Sequence, residues 1–174
     1  MADFWETKPF ATWSDAELQQ MLSDSPWARK ITVIDPAAPI QALISWRSAL
    51  PMKQGLVRSQ MGATGTLSAE AKALLDRKEL AYVVTVDGLP SRLAGSTANI
   101  RVDTSIKAGV KAAIAPDEGV SRPIGDILSI AFVFPRSPIS LQDGDVEFVT
   151  KVGRYEIRRK FTLKDMVFHG QLEL

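Results

Sequence analysis

Between Leu128 and Leu174 the chain alternates side chains in a way that extended strands satisfy and helices do not. In Leu128-Ser129-Ile130-Ala131-Phe132-Val133-Phe134 one face carries Leu128, Ile130, Phe132 and Phe134, and the other carries Ser129, Ala131 and Val133. The second face is small and partly apolar, so this strand is expected to be buried on both sides. Pro135 and Pro138 end it, because proline has no N–H to give a central ladder. Downstream, Val146, Phe148, Thr150 and Val152 alternate with Glu147, Val149 and Lys151. Tyr155, Ile157, Arg159 and Phe161 then alternate with Glu156, Arg158, Lys160 and Thr162, with Gly153 between the two runs. This predicts an antiparallel hairpin over residues 145–162. His169-Gly170 marks a second reversal, returning Gln171-Leu172-Glu173-Leu174 beside Met166-Val167-Phe168.

The first organised element upstream is a helix opening at Ser14. Ser14 is placed to cap the Glu17 N–H, Glu17 to reach back to Ser14, and Trp13 to staple against Leu18. Leu18, Met21 and Leu22 share its face, and Pro26 stops it near Ser25. Trp27 is expected to plug the core. Ile31–Ile34 and Ile40–Trp46 read as strands joined by the stiff Asp35-Pro36-Ala37-Ala38-Pro39 connection, a second hairpin candidate.

Pro51 suits a first helical turn, and Leu56, Val57, Gln60 and Met61 follow at helical spacing, with Gly55 as a weak point. Gly62–Thr66 reads as a loop, and Ser68 caps a further helix whose Ala71, Leu74 and Leu75 share a face. The two are expected to pair. Leu80, Tyr82, Val84 and Val86 predict a strand that Asp87-Gly88 closes as a turn. From Leu89 to Ile127 the pattern degrades. Ala98, Ile100 and Val102 alternate, but glycine and proline recur, so one or two short strands are expected in an irregular segment without a helix.

At 174 residues one domain spanning residues 1–174 is expected, large enough to bury roughly 70% of its unfolded surface. A net charge of +1 disfavours nucleic acid as a partner, and no apolar run of about 18 residues predicts a transmembrane segment. Cysteine is absent, which excludes disulfides, thiol nucleophiles and thiolate metal sites. Residues 1–6 hold neither a basic nor an apolar signal region, so they predict a chain without a signal peptide.

Chemistry is sparse. Gly62-Ala63-Thr64-Gly65 has part of a phosphate-binding glycine loop, but a predicted helix precedes it where such a loop follows a strand. It reads as a connection between helices. His169 is the sole histidine and is read as a turn residue beside Gly170. Asp143-Gly144-Asp145 lacks the later ligands of a calcium loop and reads as a polar turn. Arg158-Arg159-Lys160, with Arg154 and Tyr155 nearby, has the make-up of a basic, aromatic strand that stacks on a nucleic acid or binds an anion. The structural reading pairs Arg159 with a carboxylate such as Glu147 or places it at a sheet edge. Trp5, Trp13, Trp27 and Trp46 all lie in the first quarter of the chain, where they read as core anchors more readily than as a sugar platform. Four weak ligand-binding candidates remain: Trp5, Trp46, Arg159 and His169. No catalytic residue, cofactor or metal site is assigned.

Both ends of the chain resemble a family of uncharacterised exported bacterial proteins. At the start the likeness runs through Phe4-Trp5-Glu6-Thr7-Lys8-Pro9-Phe10 and from Trp13-Ser14-Asp15 through Met21-Leu22 to Ser25-Pro26-Trp27-Ala28. At the close it covers Phe161 to Leu174, with Trp46-Arg47-Ser48-Ala49-Leu50-Pro51 and Phe134-Pro135-Arg136 fitting between. Members carry a signal peptide just upstream of this start, so the resemblance implies a periplasmic or secreted protein. It brings no activity, cofactor or catalytic residue.

The expectation is therefore an α+β domain: a mostly antiparallel sheet, able to fold into a sandwich, with a capped N-terminal helix and a central helical pair. Its expected role is a non-enzymatic interaction or structural module that meets an envelope protein or cell-wall component. A small-ligand or glycan-binding module is the alternative, and a hydrolase using His169 ranks third.

Overall fold

The computed structural model describes residues 2–62 and 65–174. In chain order its helices are α1 (Phe4–Thr7), α2 (Asp15–Ser23), α3 (Leu50–Met61) and α4 (Ala69–Asp76). Its strands are β1 (Ala28–Val33), β2 (Ile40–Trp46), β3 (Ala81–Pro90), β4 (Ser105–Ala108), β5 (Glu118–Ile124) and β6 (Ile127–Pro135). They continue with β7 (Asp145–Val152), β8 (Tyr155–Thr162), β9 (Val167–Phe168) and β10 (Gln171–Leu172). The fold is α+β, and all pairing is antiparallel.

Five strands make the larger sheet in the order β1-β2-β3-β6-β5, three make a second in the order β4-β7-β8, and β9 with β10 forms a ribbon. Alternation decides how the two main sheets meet. The apolar face of β6 sets Phe132 and Phe134 against Phe148 of β7, at ring separations of 5.5 and 6.4 Å, and Trp46 of β2 meets Phe161 of β8 at 5.9 Å. The inner faces thus interdigitate as a sandwich. Ala28 and Ser45 point the other way, yet both are wholly buried, because α2 packs across β1 and β2.

The hairpins form where turn chemistry demands. Val152 pairs Tyr155 across Gly153-Arg154, with Gly153 at φ 61°. Phe168 pairs Gln171 across His169-Gly170, where both turn residues have positive φ, as a type I′ reversal requires. Ser14 and Glu17 make the reciprocal capping box, at 3.1 and 2.8 Å. Gly55 is a point of close approach: a Cβ there would lie 2.9 Å from Leu22 Cδ2, so its small size lets α3 lie against α2.

Several expectations need correction. Asp87-Gly88 does not end β3, which runs on to Pro90; the pair forms a bulge opposite Ser129, with Gly88 at φ 90°. Leu80 precedes the strand and is exposed. The Ser129, Ala131 and Val133 face of β6 is half-buried, because the outer side of the sheet is only partly covered. The buried face of α3 carries Met52, Lys53, Gly55 and Val57; Gln60 is exposed. Ala98, Ile100 and Val102 lie in turns, while the two short strands of that region are β4 and β5, and Ser91–Ser96 is a 3-10 turn.

Candidate functional site

Four connections gather at one end of the sandwich: residues 34–39 between β1 and β2, the 3-10 turn after β3, Gly125-Asp126 between β5 and β6, and Gly153-Arg154 between β7 and β8. The Ser91 N–H donates to the Asp126 carbonyl at 2.9 Å, and a Cβ on Gly153 would meet the Ser96 side chain at 3.3 Å. At their centre is Asp35, whose side chain is only 3% exposed. Its Oδ1 accepts from the Ala37 N–H at 2.8 Å. Its Oδ2 accepts from the Tyr155 hydroxyl, from Arg154 Nη2 at 3.3 Å and from Arg92 Nη2 at 3.5 Å.

Donors surround this carboxylate on every side, which explains how it stays charged in a buried place. The Ala37 N–H foremost, and then Arg154 against the opposing effect of burial, hold its carboxyl below the ordinary range. Both arginines are more than half exposed, at 57% and 68% for their side chains. Each touches the cluster through Nη2 alone, and the other guanidinium nitrogens make no hydrogen bond among the described residues. Arg154 also lies over the Tyr155 ring, 5.2 Å from its centre.

Two clefts flank this knot. One, of about 560 Å³, runs beside Arg92 with Ala37, Ala38, Pro39, Ile40 and Asp126 in its walls. The other, of about 380 Å³, lies between the edges of β1 and β8, with exposed Ile34 near Arg154 and Glu156. On the opposite flank, where β4 and β5 are the outer strands, a groove of about 750 Å³ is lined by residues 97–102, Ala115, Pro116 and Gly119. Ile100 closes its floor, its Cγ2 standing 3.0 Å from where a Gly119 Cβ would be.

The four residues singled out from sequence are not gathered in one place. Trp46 is wholly buried between Tyr82 and Phe161, its indole N–H without a partner among the described residues. Trp5, 6% exposed, stands in the wall of a polar cleft of about 440 Å³ with Asp3, Glu6, Asp24, Arg29 and Asp165. His169 is exposed and stacks on Phe168 at 3.9 Å, and its backbone N–H donates to the Glu6 carboxylate at 3.1 Å. Trp27 links the Trp5 and Phe168 rings, so Trp5 and His169 belong to one aromatic chain.

Arg159 is half-buried on edge strand β8, and it is Arg158, not Arg159, that takes Glu147, at 2.7 Å. Strand alternation explains the correction: Glu147 and Arg158 project from the polar side of the hairpin and Arg159 from the core side. Asp143 is occupied at home, accepting from the Ser140 N–H and from Lys111, both at 2.9 Å, and in that order these donors hold its carboxyl low. Of the glycine loop after α3, Ala63 and Thr64 lie outside the described residues. No group of three or more His, Cys, Asp or Glu able to hold a metal occurs among the described residues, and none of their helices is long and apolar enough to cross a membrane.

Sequence reasoning places Arg154 beside a basic, aromatic strand with the make-up of an anion site, and misses Asp35 and Arg92 as its partners. Asp35 partners residues 57 to 120 positions away, and a lone Asp-Pro step signals a turn and nothing about its tertiary partners. Compared against family models, curated proteins and solved structures, the chain matches none.

Proposed function

We propose that this protein is a non-enzymatic interaction module of the bacterial cell envelope that docks an extended segment of an envelope protein against its five-stranded sheet. The observation that carries this reading is the state of β5. It is an outer strand, hydrogen-bonded through β6 on one side only, and it presents Val120 and Ile124 at 51% and 56% exposure. An unpaired edge offers a row of N–H and C=O groups to an incoming strand, and exposed apolar residues beside it supply side-chain contacts. Pro123 cannot donate, so the usable edge lies before it. The likeness of both chain ends to exported proteins supports the periplasmic or secreted setting.

The test is a photocrosslinking residue at Val120, used in native envelope extract beside a Val120→Lys/Ile124→Lys variant. A partner recovered by the first and lost by the second supports docking at β5. Repeated failure to recover any partner removes the reading.

One observation favours a second reading, a small-ligand or glycan site. Trp5, only 6% exposed, and the carboxylates Asp3, Glu6, Asp24 and Asp165 line one cleft, whose hydrogen-bonding groups beside an aromatic edge suit sugar hydroxyls. Trp5→Leu should then abolish saccharide-induced stabilisation while the chain still folds; loss of folding instead would remove this reading.

A further inference from the structure

We propose that Arg92 and Arg154 form a recognition site for a single carboxylate carried on a small apolar group, of which the C-terminus of a short peptide is the simplest form. The reasoning starts from charge. Two guanidiniums converge on one carboxylate oxygen of Asp35, which also accepts from Tyr155. One arginine would have balanced that carboxylate, so the second leaves one positive charge at the solvent side of the knot, offset at longer range by Asp126 in the cleft beside Arg92. Each guanidinium offers five N–H donors in a fixed fork, and the tether to Asp35 uses only Nη2 of each. The tether restricts each guanidinium at one nitrogen, which lowers the side-chain freedom lost when an anion meets the remaining donors.

The neighbouring groups select among anions. Asp126 shares the cleft with Arg92, and Glu156 stands near Arg154, its carboxylate engaged by Arg158 at 3.0 Å. These acids repel a multiply charged anion more strongly than a singly charged one, which favours a carboxylate over phosphate. Ala37, Ala38 and Pro39 supply an apolar wall beside Arg92 for a small apolar group. Asp35 and Tyr155 are positioning residues here: they aim the arginines and do not touch the ligand.

The experiment uses the whole chain and three probes: N-acetylalanine, its uncharged amide, and inorganic phosphate. Binding is read by calorimetry and by the NMR signals of the Arg92 and Arg154 Nε–H groups. N-acetylalanine should bind in the millimolar range or tighter and move both arginine signals. The amide should bind about tenfold more weakly or worse, as loss of charge-assisted hydrogen bonds requires. Arg92→Gln/Arg154→Gln should weaken N-acetylalanine by a similar factor. Arg154→Lys, which retains a positive charge but lacks the fork, should also weaken it. Equal binding of acid and amide, tighter binding of phosphate, undiminished binding by the double variant, or no response to any probe would each overturn the proposal. The site is independent of β5, so the Val120→Lys/Ile124→Lys variant should bind N-acetylalanine as the unaltered chain does.

Discussion

Lys53 Nζ lies 3.1 Å from Glu79 Oε1 and donates to the carbonyls of Leu74 and Arg77, each at 3.2 Å. All three ammonium donors are used, and the Lys53 side chain is 6% exposed, so α3 reaches across to satisfy the C-terminal end of α4. Burial pushes the Glu79 carboxyl up, but hydrogen bonds from Lys53 and then Arg77 more than offset this and hold it below its ordinary value. Lys53→Met leaves the two carbonyls without their donor and Glu79 with Arg77 as its remaining cation. It should cost about 3 kcal/mol, a fall of roughly 6 to 12 °C in melting temperature. Adding Glu79→Gln should recover part of the loss. Urea unfolding of the single and double variants checks this; a loss under about 0.5 kcal/mol, an ordinary surface effect, would show that the pair does not hold α4.

Asp35 makes stability depend on pH in a defined direction. Its carboxyl is held below its ordinary value, so the stabilisation is full at neutral pH and disappears as pH falls through the depressed folded-state value. Asp35→Asn should therefore be less stable than the parent at about pH 7, and the gap should close in strongly acidic solution, below the ordinary aspartate range of about 3.9. Chemical denaturation of both proteins across that range is the measurement, and a gap independent of pH would sink the assignment.

The bulge in β3 predicts a contrast between two glycines. Gly88 has φ 90°, and a Cβ there would lie 2.7 Å from the Gln41 carbonyl oxygen; Gly144 has φ 82° with open space around it. Gly88→Ala carries both backbone strain and a collision with fixed main chain, and should lose about 2–4 kcal/mol. Gly144→Ala carries the strain alone, at about 1 kcal/mol. Equal losses would show that the close approach of β2 is easily relieved.

The start of α2 gives a smaller test. Ser14→Ala removes the acceptor for the Glu17 N–H and should cost about 1 kcal/mol. Lys8, 2.5 Å from Glu17 Oε1, foremost holds the Glu17 carboxyl low, with the Ser14 N–H next. Lys8→Met should therefore raise the acid midpoint of Glu17, as followed by NMR.

What could be read in advance follows the range of the interactions involved. The 145–162 hairpin, the Ser14 cap, the 127–135 strand and the His169-Gly170 reversal depend on residues within a few positions of one another, and each formed as its local pattern requires. Asp87-Gly88 has the composition of a turn, and only pairing with β6 makes it a bulge inside a longer strand. Residues 97–102 alternate like a strand but fold into turns, their backbone closed on itself by bonds from the Ile100 N–H to the Thr97 carbonyl and from the Val102 and Asp103 N–H groups to the Asn99 carbonyl. Arg154 is legible as part of a basic, aromatic stretch but its partners are not, because residues 35, 92 and 154 meet only after both sheets have assembled.

The aromatic chain from Trp5 through Trp27 to Phe168, with the Trp27 indole donating to the Glu173 carbonyl at 2.9 Å, bears on synthesis. A ribosome delivers residues 5 and 27 long before residues 167–174. Until residues 167–174 emerge, these two tryptophans lack part of their cover, which the β9–β10 ribbon then supplies.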